Sequence, residues 1–203
     1  MIKLSQYAHE METTADMTCV DFNMGPVLAV EKDIRGWNNP RYGDPLSQGL
    51  QNIEMLHCDP ADVGHRLDLH HCAEAWRYGL LIYIERIFKW SRSGPLSPII
   101  GLLARKALNH VSACRRSTMM QKQVLLPVLL AGSETDDTSL RAEAKEYCDW
   151  WDKRTGYNMF SSAGSVLEEV WAGEDLGVWW GSVIDGKTQS FGTNETASQF
   201  LFG

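Results

Sequence analysis

The sequence predicts an all-α domain, and three observations carry that reading. Apolar residues recur at three- and four-residue spacing through most of the 203 residues, no segment alternates with a period of two, and Gly/Pro clusters punctuate the periodic stretches at helix-length intervals. An apolar content of 44% beside 22% charged residues is enough to bury a continuous core. Residues 1–185 read as one irregular multi-helix bundle around a central proline-kinked helix. Residues 186–203 read as a polar tail.

The elements follow in order. Leu4, Tyr7, Ala8 and Met11 define a first amphipathic helix. Arg35 to Pro45, with two glycines and two prolines, reads as a loop. Leu46, Leu50, Ile53 and Leu56 mark a second helix that ends before Asp59-Pro60, because a residue preceding proline resists the helical region. In a third, Leu69, Ala73, Trp76, Leu80, Ile84 and Ile87 share a face that Tyr83 and Phe88 widen. Ser91 to Pro95 breaks it.

Ser97-Pro98 supplies a cap and a first-turn proline for a fourth helix, with Ile99, Leu102, Leu103, Ala107, His110, Val111 and Cys114 inward. Gln121 to Ala131 is apolar on nearly every side, as a surrounded helix must be, and Pro127 should kink it by removing a backbone donor. The next helix runs from about Thr138 to Arg154, with Leu140, Ala144, Tyr147, Cys148 and Trp151 inward and Gly156 as its stop. Ser165 to Glu168 has the form of a capping box ahead of Val170 and Trp171. Val178, Trp179, Val183 and Ile184 make a short last helix.

Composition excludes several functions. A formal charge of −7 argues against direct nucleic-acid contact, which needs clustered cations to displace counterions. Arg105-Lys106 and Arg115-Arg116 read as a solvated helix face. Five scattered cysteines without motif spacing suit reduced thiols and an intracellular setting, cytoplasmic or nuclear. The longest apolar run, Val124 to Gly132, is too short to cross a bilayer, so no membrane contact is expected.

Two motifs are read as incidental. His57, Cys58, His65, His70, His71 and Cys72 form a His/Cys-rich stretch, but three consecutive ligands on a helix point in different directions, so no metal site is expected. Gly181 to Thr188 fits the phosphate-loop pattern without the preceding strand or following helix that the loop needs, so no nucleotide or other cofactor is expected. Glu74 and Arg77 are placed to pair on the third helix. No residues assemble into a nameable catalytic set.

Ala73 to Phe88, AEAWRYGLLIYIERIF, resembles the effector-domain signature of fungal zinc-cluster transcription factors. Leu125 to Glu134, LLPVLLAGSE, resembles that family's proline-kinked helix ending in Ala-Gly, and Leu167 to Asp185 its closing Leu-Glu-Glu-Val-Trp helix and terminal tryptophan segment. The resemblance implies the C-terminal half of a helical effector domain, with Glu74 and Arg77 tying helices together. The family's zinc cluster has no counterpart, since no Cys-x-x-Cys pair occurs. The implied function is regulatory: binding of a small apolar metabolite or a protein partner.

Eight tryptophans, each with an apolar body and one donor, suit a pocket with a polar end. Trp76, Tyr83, His110, Trp151 and Trp180 are the candidate ligand-binding residues. The alternative is a standalone cofactor-free enzyme of the cyclase, isomerase or pericyclase type, which would need orientation more than acid–base groups. A homodimer is a third reading, because half of a helical domain leaves an apolar face to cover.

Overall fold

The computed structural model describes residues 1–15, 21–37, 60–90, 97–173 and 179–184. Its helices are α1 (Ile2–Ala15), α2 (Gly25–Gly36), α3 (Pro60–Ile84) continued by a π turn (Glu85–Lys89), α4 (Pro98–Ala113), α5 (Met119–Lys122), α6 (Leu125–Ser133), α7 (Thr138–Thr155) and α8 (Asn158–Ala172). A last helical turn covers residues 180–184. Among the described residues there is no strand. The expected helix through Leu46, Leu50, Ile53 and Leu56 and the tail from residue 186 lie outside the described residues. So does the breaker at Ser91 to Pro95.

α3 runs through the middle of the bundle and uses two faces. Cys72, Ala75, Ile82 and the adjoining Leu81 are buried against α4 and α6. Gly79 lets that contact close, since a Cβ there would meet the Pro127 backbone at 3.2 Å. The expected inward stripe through Ala73, Trp76 and Leu80 is the other face, turned toward α2. The fourth helix keeps its expected inward Leu103, Ala107, Val111 and Cys114 and departs from expectation in its first turns. Ile100, Leu103, Ala104, Ala107, Leu108 and Val111 are buried, whereas Ile99 and Leu102 are about half exposed. Ser97 precedes that helix in extended backbone with Pro98 behind it, but its hydroxyl makes no capping bond.

The central apolar segment is two helices. Backbone bonds from Gln123 to Met120 and from Val124 to Gln121 close turns that interrupt it. Pro127 then falls in the first turn of α6, where its missing N–H costs no intrahelical bond. The interruption therefore lies ahead of the proline. α6 itself is buried on nearly every side, with Val128, Leu129, Leu130 and Ala131 at 1% exposure or less.

α7 matches its expected span and inward set, Leu140, Ala144, Tyr147, Cys148 and Trp151. Asp137 caps it by accepting from the Ser139 and Leu140 amides, and Gly156 ends it at φ 66°, a left-handed conformation that a Cβ disfavours. α8 begins seven residues before Ser165. That residue lies within the helix and caps nothing, because the buried stripe Phe160, Ala163, Val166, Leu167 and Val170 extends the apolar face upstream.

A second, smaller core of Leu4, Val27, Ile84 and Phe88 holds α1 and α2 to the end of α3. Beside it the Glu31 carboxylate, 7% exposed, accepts from Arg35 at 2.8 Å and from Lys89 at 2.8 Å. Burial pushes the Glu31 carboxyl up, but the hydrogen bonds and charges of Lys89 and Arg35 outweigh it and hold it below its ordinary value. A carboxyl lowered on folding contributes stability above its unfolded pKa and loses it as pH falls through the folded one. Glu31→Gln should therefore flatten the acid limb of the stability profile while changing neutral stability by about 1 kcal/mol, since both cations are partly solvated. Urea denaturation across acidic pH measures this.

Candidate functional site

α2 and α3 diverge around an apolar cleft of about 430 Å³ lined by Val30, Asp33, Ile34, Trp37, Ala73, Trp76, Arg77 and Leu80. Helical spacing accounts for the lining: Val30, Asp33 and Ile34 fall along one face of α2 with Trp37 just past its end, and Ala73, Trp76, Arg77 and Leu80 along one face of α3. Trp76 forms part of the wall while its indole N–H donates to the Gln123 carbonyl at 3.2 Å. That bond fixes the ring by using a carbonyl at the break between α5 and α6. Asp33 and Arg77 are the charged groups of the lining.

Arg77 is held in place rather than free. Its Nε reaches both Glu74 oxygens at 3.0 and 3.1 Å, a second nitrogen donates to the Tyr78 hydroxyl at 2.9 Å, and its guanidinium stacks on the Tyr78 ring. Burial pulls the Arg77 pKa down, and Glu74 more than restores it. The Glu74–Arg77 pair expected from the sequence is thus formed within α3.

The five candidate binding residues do not converge on this cleft; Trp76 alone of them lines it. Tyr83 packs on Phe88 and Trp180, and burial raises its hydroxyl pKa. Trp151, 1% exposed, donates to the Gln121 side chain at 3.2 Å inside the core. Trp180 lies beside a buried ion pair in which Arg86 Nε meets Glu134 Oε1 at 3.0 Å, the two side chains being 2% and 3% exposed. Val30, Asp33, Ile34 and Trp37 were missed by sequence reasoning. The signal available for them was Pro26 followed by Val27, Val30 and Ile34 at helical spacing, with Arg35 in the closing turn.

His110 joins a different constellation. From α4 it faces His70 and His71 of α3, and one ring nitrogen from each lies within 4.8 Å of the other two. Adjacent helical residues do diverge by about 100°, but the His70 and His71 rings fold back to a 5.4 Å centroid separation. Cys72 does not join them, as expected of three consecutive helical residues, and His110 of α4 is the third member instead. His71 Nδ1 and His110 Nδ1 are 3.0 Å apart and share one hydrogen bond. Burial, reinforced by His71, pushes His110 down to about 4, and burial likewise lowers His71.

Two other expectations find their places. Gly181 to Ile184, the start of the phosphate-loop lookalike, is helical, and its remaining residues lie outside the described set. Of the basic residues, Arg105 pairs with Asp137 at 3.0 Å, Arg115 with Asp68 at 2.7 Å and Arg116 with Glu146 at 2.6 Å, while the Lys106 amine lies over the Tyr78 ring. Among the described residues no helix is long and apolar enough to cross a membrane.

The described residues form an all-helical bundle with an apolar cleft between α2 and α3. The chain belongs to the fungal specific transcription factor domain family, whose model it matches over residues 27–191. No curated protein and no solved structure matches it.

Proposed function

We propose that this chain is a regulatory effector domain that takes a small apolar molecule in the cleft between α2 and α3. The observation that carries the reading is the cleft itself. Its volume falls within the range of small-molecule pockets, and its walls are aliphatic and aromatic apart from Asp33 and Arg77. Trp37 and Trp76 would sandwich or edge a flat ring system. The immobilised Arg77 would orient a carbonyl, hydroxyl or carboxylate at one end, losing little side-chain freedom because Glu74 and Tyr78 already hold it. The family assignment supports an intracellular regulatory setting, nuclear when the domain serves a transcription factor.

The test uses 1-anilinonaphthalene-8-sulfonate as an apolar aromatic probe. Saturable fluorescence enhancement and quenching of tryptophan emission are expected for the native chain. Ala73→Phe should fill the cleft and weaken the probe by about tenfold or more, which corresponds to about 1.4 kcal/mol, with unchanged helical circular dichroism. Equal binding by the native chain and a folded Ala73→Phe variant would remove the cleft as the site. Weak, unsaturable binding by both, together with a stoichiometric complex with another protein, would favour a protein partner.

A further inference from the structure

We infer that His70, His71 and His110 form a three-histidine site for a borderline divalent transition ion, zinc in the first place, clasping α3 to α4. The ligand types and count are those of an open zinc site, three imidazoles with a fourth position left for water or an exogenous ligand. Imidazole donors select zinc, copper or nickel over magnesium and calcium, which prefer oxygen.

The geometry is close to that required. Two nitrogens bound tetrahedrally at 2.0–2.1 Å stand about 3.3 Å apart. His71 and His110 already hold their Nδ1 atoms at 3.0 Å, and no pair among the three ligand atoms exceeds 4.8 Å. The remaining closure, about 1.5 Å at most, lies within rotation of an imidazole about its two side-chain torsions.

The surroundings hold the rings and the two helices in place. Tyr78 stacks on His110 at 5.7 Å and 19° between planes, which holds that ring from one side. α3 and α4 are tied independently by Cys114 Sγ donating to the Asp68 carbonyl and by the Arg115–Asp68 pair. The backbone positions of the three ligands therefore do not depend on an ion. The nearby cations include Arg77, which Glu74 neutralises, and Lys106, whose amine lies 5.5 Å over the Tyr78 ring that stacks on His110. All three histidines are half-buried, so the fourth position opens toward solvent.

An untagged full chain, stripped with a chelator and dialysed, tests the site by calorimetric titration with zinc chloride and by cobalt(II) absorption. One equivalent in the micromolar range or tighter is expected, with the intense visible bands of tetrahedral cobalt and a raised melting temperature. Loss of an outer-shell partner alone weakens metal sites about 10- to 100-fold, so His110→Ala and His70→Ala should each exceed about tenfold. His9→Ala, on the exposed face of α1, should bind like the native chain. Circular dichroism establishes which variants fold; His70→Ala leaves the His71–His110 hydrogen bond in place and decides the matter if His110→Ala does not fold. The inference is overturned if the native chain binds zinc only in the millimolar range, or if a folded His70→Ala or His110→Ala variant binds as tightly as His9→Ala.

Discussion

Gln121→Ala is expected to lower the unfolding free energy by about 3–5 kcal/mol, a large part of what a domain of this kind has to lose. Gln121 belongs to the four-residue α5 and is 3% exposed. Its amide donates to the Val111 and Cys114 carbonyls at 3.1 and 3.0 Å, and its oxygen accepts the Trp151 indole N–H at 3.2 Å. One side chain thus ties α4, α5 and α7. Removing it strands donors and acceptors that water cannot reach, each costing about 1–3 kcal/mol, and leaves a cavity besides. Gln121→Met fills the volume but restores no hydrogen bond, so it should recover less than half of the loss. Tyr147→Phe is the milder comparison. It removes one hydroxyl donating to the Gln121 and Lys122 carbonyls at 2.9 and 3.1 Å, and should cost about 1 kcal/mol. Urea unfolding of the three variants would check the order, and a Met variant as stable as the native chain would show that cavity volume dominates.

Arg86→Met should be comparably damaging, for an electrostatic reason. The Arg86–Glu134 pair is buried on both sides, with the guanidinium also stacked 3.9 Å from the centre of Trp90. Burial pushes the Glu134 carboxyl up, against the opposing pull of Arg86 and of the Trp180 indole. Without Arg86 the carboxylate is left buried and uncompensated, a loss of about 3–5 kcal/mol. The double variant Arg86→Met/Glu134→Leu should recover most of it, because apolar replacement of an entire buried pair is often neutral or better. The pH dependence has a definite sign. A carboxyl whose folded pKa lies above its unfolded value makes the native state the better proton binder, so stability falls as pH rises through that window. Arg86→Met should steepen this fall, and the double variant should abolish it. A double-mutant cycle at neutral and mildly acidic pH measures both effects.

What the sequence made legible depended on whether the deciding interaction was local. The span and inward face of α7 were readable because its inward residues and its stop at Gly156 lie within one periodic segment. Pro127 was readable as a disruption but not by position, because the turn at Gln123 and Val124 is held by Tyr147 and Trp76 from other helices. The same applies to α3, whose two apolar faces merge into one broad stripe when viewed alone. Their separate partners, α4 and α6 on one side and α2 on the other, appear only in three dimensions. Of the cleft, Trp76 was anticipated and the α2 wall was not, since Gly25-Pro26 reads as punctuation before it reads as a helix start. The histidine trio needs α4 beside α3, and no spacing along the chain encodes that distance.

The π turn at Glu85–Lys89 has a consequence for how this domain compares with its relatives. A π turn holds one residue more than the α turn it replaces, so every side chain beyond it is advanced by roughly 100° around the axis. The turn itself carries Arg86, which meets Glu134, Phe88, which joins the Leu4–Val27 cluster, and Lys89, which reaches Glu31. Family members with a regular helix at this point should align with a single-residue gap between Ile84 and Trp90, and deleting Ile87 from this chain should set the phase back and detach α1 and α2 from the remainder of the bundle.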